Sequence, residues 1–176
     1  DRKEVRDLIA YLSLVFNERD EVSLLRVLNY PARGIGRETV HRLQQESLSS
    51  GRPLTEVMRR AGSLEGIGSR QARGIADFLD LIDQARSWFG PGRLSYGARR
   101  LAETVGLEDA AMRSVKDPEA GWRKAENIRE VITALATFEQ QEPQAGLGEY
   151  LAGVNLTGRD EEDSDSSSEA VTLLTV

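Results

Sequence analysis

The chain of 176 residues carries no cysteine and a single histidine, His41, which excludes a disulfide framework, thiolate metal sites and zinc sites built on cysteine and histidine. No apolar run approaches the roughly 20 residues of a membrane span, and the start is charged and helical rather than a signal peptide, so the expected setting is cytoplasmic. The net charge of −6 argues mildly against nucleic acid, but residues 1–100 hold 17 basic and 13 acidic side chains, and residues 101–176 hold 6 and 16. Total charge is therefore a poor guide to a binding face in the first half. Lysine occurs only at Lys3, Lys116 and Lys124; this arginine bias fits phosphate recognition and a GC-rich genome alike.

Residues 2–16 read as an amphipathic helix, with Val5, Leu8, Ile9, Leu12, Leu14 and Val15 at helical spacing. A polar break over 17–20 leads to a second helix, which Pro31 ends, because proline lacks the donor and disfavours helix in the residue before it. Gly34-Ile35-Gly36 follows, then a helix over 37–48, a loop over 49–53, and a short helix ending near Ala61. Gly66-Ile67-Gly68 repeats the tripeptide before a helix over about 70–89, with apolar face Ile75, Phe78, Leu79, Ile82 and Ala85. Gly90-Pro91-Gly92 stops it. A helix over 94–105 closes on Gly106, read as a plain cap, and the longest helix spans 118–141. On that helix Trp122, Ile128, Val131, Ile132, Leu135 and Phe138 share a side, with Trp122 read as a core anchor rather than a base-stacking platform. A short helix over 147–154 precedes an acidic stretch over 158–169, read as a solvated linker, and an apolar, β-branched strand over 170–176. The fold class expected is mainly α: a multi-helix domain with two helix-hairpin-helix-like turns plus one C-terminal strand.

The chemistry lies in the two glycine turns. Gly34 and Gly36 are read as adopting backbone conformations closed to residues with a Cβ, and as leaving no side chain over the amides. Ile35 anchors the turn, while the free N–H groups at the new helix start make an anion site beside Arg33, Arg37 and Arg42. Such a turn grips a nucleic-acid phosphate without reading bases. A glycine pair between helices is most often a C-cap and a turn; the second copy, with Gly66, Ile67, Gly68, Ser69 and Arg70 in the same order before a helix, favours the functional reading. Glu38 and His41 lie one helical turn apart, a pair that usually marks plain surface.

Asp1-Arg2-Lys3-Glu4-Val5-Arg6-Asp7, followed by Leu8-Ile9-Ala10-Tyr11-Leu12, resembles motif IV of the UvrD/PcrA/Rep helicases of superfamily 1. The stretch from Leu25 to Gly36 resembles the entry to that family's 2B subdomain, and Glu126-Asn127-Ile128, the acidic gap and Val171-Thr172-Leu173-Leu174-Thr175-Val176 complete the order. The resemblance implies that residues 1–16, with Arg2 at the motif IV position, and 170–176 are fragments of a truncated RecA-like domain 2A. It implies that 17–157 form the helical 2B subdomain, whose Gly-Ile-Gly turns contact duplex DNA ahead of the fork. The DNA-binding set expected is Arg33, Gly34, Ile35, Gly36, Arg37, Thr39, Gly66, Ile67, Gly68, Ser69 and Arg70, with no catalytic or metal-binding residue.

The resemblance further implies a parent ATP-dependent DNA helicase acting in repair or replication, with ATP and Mg2+ as its cofactors. No Gly-x-x-x-x-Gly-Lys-Ser/Thr loop occurs here, so this chain alone is expected to be inactive towards ATP, with no cofactor of its own. The partners expected are double-stranded DNA near a single-strand junction, the RecA-like domains and repair proteins, with no membrane. The rival reading is a protein-docking, autoregulatory module whose acidic face, including Glu126 and Glu130, serves a basic partner.

Overall fold

The computed structural model describes residues 2–154, and among these it contains helices and turns but no strand. The helices are α1 (Lys3–Phe16), α2 (Glu21–Val27), α3 (Arg37–Ser50), α4 (Leu54–Arg59), α5 (Ser69–Arg86), α6 (Leu94–Val105), α7 (Leu107–Arg113) and α8 (Pro118–Gln141). A 3-10 turn over Ala61–Ser63 follows α4, and a last helical segment covers 147–154. The acidic stretch over 158–169 and the expected strand over 170–176 lie outside the described residues.

Local chemistry sets several helix ends. Asp20 caps α2 by accepting from the Ser23 N–H at 3.1 Å, and Asp117 caps α8 by accepting from the Glu119 and Ala120 N–H groups, with Pro118 in the first turn. Gly106 takes a left-handed φ of 67° where α6 ends, and Gly92 one of 68° in the loop before α6. α5 itself ends at Arg86 with Ser87 as its C-cap, ahead of the Gly90-Pro91-Gly92 stop expected to end it. Gly106 is more than the plain cap expected: its carbonyl accepts from the Ala110 N–H at 3.0 Å, so it also opens α7. That helix was not anticipated, because its 7 residues are too few for a clear period.

α1 packs against α2, α5 and α8, and α8 in turn against α6 and α7. Leu8, Tyr11, Leu12 and Leu14 of α1 join Leu24, Ile75, Phe78 and Ile128 in one buried core. Each of the five residues expected to face inward from α5 is buried. The reading of Trp122 is corrected: its side chain is 60% exposed. The buried stripe of α8 is Gly121, Ala125, Ile128, Ile132 and Leu135, at helical spacing that places residue 122 roughly 100° away. Gly121 leads that stripe because α7 leaves no room for more, a Cβ there falling 3.0 Å from the Met112 carbonyl oxygen.

The seam between α1 and α8 holds a buried carboxylate. Glu4 accepts from Asn127 Nδ2 at 2.6 Å and lies 3.7 Å from Lys124 Nζ. Burial opposes its ionisation, but the Asn127 hydrogen bond, its own backbone N–H, Lys124 and Arg2 outweigh that and hold the carboxyl below its ordinary value of 4.5. A carboxyl whose folded value is lowered stabilises the fold above its unfolded value, and that contribution is lost as pH falls through the folded value. Asn127→Ala is therefore expected to destabilise the protein at pH 7 by about 1–3 kcal/mol, the cost of stranding a buried acceptor. Urea titrations between pH 7 and 3 check this: the gap between variant and wild type should narrow below pH 4.5.

Candidate nucleic-acid interface

The two Gly-Ile-Gly turns adopt one backbone form. The leading glycines, Gly34 and Gly66, have φ of 75° and 80°, the left-handed region that glycine enters at least cost. The central residues Ile35 and Ile67 are buried. The trailing glycines are helix N-caps in ordinary extended backbone, Gly36 at φ −79° and Gly68 at φ −71°. Contrary to the sequence reading, then, the trailing position has no conformational need for glycine, and a Cβ on Gly36 would meet nothing within 4 Å.

What the trailing glycines provide is bareness. Neither α3 nor α5 has a side-chain cap on its first-turn amides, and α1 and α7 share that feature, whereas Asp20 and Asp117 cap α2 and α8 and Glu139 accepts from Ser95 at the start of α6. Uncapped amides and the positive end of the helix dipole favour an anion. Arg37, Arg70 and Arg73 stand exposed beside them, and among the described residues none of the three is ion-paired. The start of α5 is the more cationic, since it has no acidic residue in its first turn, while Glu38 in α3 is held by Arg42 at 2.9 Å.

The turns lie side by side and exchange arginines. Arg42, from the helix after the first turn, lays its guanidinium against Gly66 of the second, where a Cβ would fall 2.6 Å from Arg42 Cζ. Arg70, from the helix after the second turn, lies against Gly34 of the first, with Nε 3.7 Å from the corresponding Cβ position. Gly74 completes the contact, since a Cβ there would fall 2.9 Å from the Arg33 carbonyl oxygen.

Comparison with known proteins relates the chain to a family of DNA helicases. The family model of the UvrD-like helicase C-terminal domain matches residues 1–65, which include the first turn. The whole chain aligns with DNA helicase II of Salmonella typhimurium at 28% identity over 179 residues. It aligns likewise with ATP-dependent DNA helicase UvrD1 of Mycobacterium tuberculosis at 30% over 196 residues, and with ATP-dependent DNA helicase PcrA of Bacillus subtilis at 24% over 181. The chain is homologous to the UvrD-like helicases. It spans 24% of the length of each of these relatives.

Placed within this UvrD-like segment, the expected site residues divide. Gly34, Gly36, Arg37, Gly66, Gly68, Ser69 and Arg70 are brought together at the exposed turns, with Ile35, Ile67 and Thr39 buried beneath. Arg33 is turned inward. Its Nη1 reaches the carbonyls of Val27, Leu28 and Pro31 at 3.0–3.2 Å, and Nη2 donates to the Tyr11 hydroxyl at 2.6 Å. Its guanidinium also lies 4.9 Å from the centre of the Phe78 ring. Arg2 belongs to the α1–α8 seam, where it pairs with Glu130 at 2.6 Å.

Several residues that build the site carry no sequence signal of their own. Asn29 Oδ1 accepts from the Arg33 and Ile35 N–H groups and shapes the first turn. Tyr11 donates to the Tyr30 carbonyl and ties that turn to α1. Burial holds its hydroxyl above the ordinary value against the pull of Arg33, so it remains a donor at neutral pH. The ATP in two of the relatives' names, and the Mg2+ expected with it, do not fit the residues present: the sequence has no phosphate-binding loop, and the described residues hold no cluster of carboxylates or histidine able to bind a metal.

The turn geometry separates the glycines experimentally. Gly34→Ala and Gly66→Ala should each cost about 1–2 kcal/mol for a left-handed alanine, with Gly66→Ala the worse because of Arg42. Gly36→Ala should cost about 0.5 kcal/mol, the difference between glycine and alanine at a cap. Gly74→Ala, a change that ordinarily strengthens a helix by about 1 kcal/mol, should instead lower the melting temperature. Calorimetry of the four variants checks the series.

Proposed function

We propose that this chain is the 2B-type accessory part of an ATP-dependent DNA helicase, and that its two turns hold duplex DNA near a single-strand junction by the phosphate backbone. The observation that supports this most directly is the pair of uncapped helix starts, set side by side and flanked by Arg37, Arg70 and Arg73. Two adjacent anion sites without base-reading side chains suit backbone contact independent of sequence. On this reading residues 1–16 adjoin the second RecA-like domain, ATP and Mg2+ act on the rest of the helicase, and movement of the accessory part regulates unwinding in repair or replication. A docking role for the acidic face is less well supported, because Glu130 is taken by Arg2 and Glu126 lies 3.3 Å from Arg129.

Gly36→Val with Gly68→Val tests the proposal. The first introduces a Cβ into open space, and the second displaces only the movable end of Gln71, so the fold should survive while side chains stand over the amides. Fluorescence anisotropy with a labelled duplex is expected to show salt-sensitive binding by the wild type that differs little between sequences and is lost in the double variant. Arg37→Ala, which removes an exposed side chain that is not ion-paired among the described residues, should reduce the log–log salt slope by about 0.9, the loss of one phosphate contact. Wild-type protein that fails to bind duplex at low salt would shift the reading to docking and autoregulation.

A further inference from the structure

We propose a second nucleic-acid contact, for an unpaired strand, formed by Arg93, Tyr96, Arg99 and Arg100 at the far end of α5 from the Gly-Ile-Gly turns. Residues 84–102 contain four arginines and no acidic residue. One of them, Arg86, is neutralised by Asp83 at 2.8 Å and Glu18 at 3.1 Å. The other three are exposed, and among the described residues none is ion-paired. Tyr96, Arg99 and Arg100 are spaced to share one face of α6, and Arg93 stands at its start.

Two of these arginines are held by aromatic rings instead of carboxylates. The Arg100 guanidinium lies 4.5 Å from the centre of the buried Trp88 ring and donates to the Tyr96 hydroxyl at 2.9 Å. Arg93 lies 5.3 Å from the centre of the Tyr96 ring, which is itself 47% exposed. Stacking fixes a guanidinium without cancelling its charge. Glu139 is engaged with Ser95 at 2.9 and 2.8 Å, and Glu103, one turn further along α6, forms no ion pair with Arg99 or Arg100. The result is fixed positive charge around an exposed aromatic ring.

That chemistry suits a flexible polyanion carrying flat aromatic units: phosphates meet the arginines while a splayed base reaches the tyrosine. A closed duplex, with its bases stacked inside, offers the ring nothing. α5 has 18 residues, so its start at the second turn and its end beside Trp88 are about 27 Å apart at 1.5 Å per residue. None of the patch residues belongs to the turns, and the two sites hold or fail separately.

The test titrates the full chain against fluorescein-labelled dT12 by anisotropy, at low and moderate salt, with circular dichroism to confirm the fold of each variant. Arg99→Ala, which removes an exposed side chain without a partner, is expected to weaken binding and reduce the log–log salt slope by about 0.7. Tyr96→Ala is expected to weaken it about tenfold through lost stacking, and Tyr96→Phe, which keeps the ring, to retain most of the affinity. The Gly36→Val/Gly68→Val variant should bind dT12 as the wild type does. No dT12 binding at low salt would overturn the proposal, as would binding that survives Arg99→Ala and Tyr96→Ala but disappears in the double glycine variant.

Discussion

The inward turn of Arg33 is the contact on which the first half of the molecule depends. α2 ends with carbonyls that have no partner further along the helix, and a cation is the natural complement to that negative end. Arg33 reaches back from the loop to the Leu28 carbonyl and to that of Val27, which also accepts from the Tyr30 N–H, and in doing so it draws the Pro31 carbonyl, the Tyr11 hydroxyl and the Phe78 ring to one point. These groups come from α1, the loop and α5, so one guanidinium joins segments far apart in sequence. Lysine would carry the same charge but lacks the planar fork that serves several acceptors at once.

Around that joint the protein assigns opposite tasks to the two glycines of each tripeptide. The leading one makes a bend that other residues enter at a cost. The trailing one withholds a side-chain cap where serine, threonine or aspartate would stabilise the helix by roughly a few tenths of a kcal/mol. Both Gly-Ile-Gly turns thus lead into bare helix starts, a feature that α1 and α7 share without any such turn. What sets the α3 and α5 starts apart is their setting beside each other with Arg37, Arg70 and Arg73 exposed around them.

Much of this was legible in the sequence, and the rest was hidden for identifiable reasons. The inward face of α5 and the limits of α6 follow from helical periodicity and from glycine stops, which are local signals. Arg33 shows where local reading fails: beside Gly34 it resembles a phosphate ligand, and only the distant carbonyls and rings reveal its structural role. Tyr11, Asn29 and Gly74 were passed over because their partners lie across the turn or on another helix. Trp122 was misplaced because large aromatics usually face inward, whereas the close approach of α7 demanded glycine one residue earlier. α7 itself was missed because one glycine serves as the end of one helix and the start of the next.

The exchange of Arg42 and Arg70 between the turns has a mechanical consequence. Each turn is touched by an arginine of the helix that follows the other, so a shift of one turn disturbs a contact of the other. The spacing of the two bare helix ends is thereby set by contacts between the turns as well as by the helices, much as the two jaws of a caliper share one frame. A stiff ligand whose charges match that width meets the second jaw as soon as it has met the first, because its effective concentration there is high. A limp ligand must be straightened first, and loses conformational entropy in the process. On the proposed phosphate-binding role, a preference for rigid over flexible polyanions would follow from the contacts between the turns, with no side chain required to recognise a base.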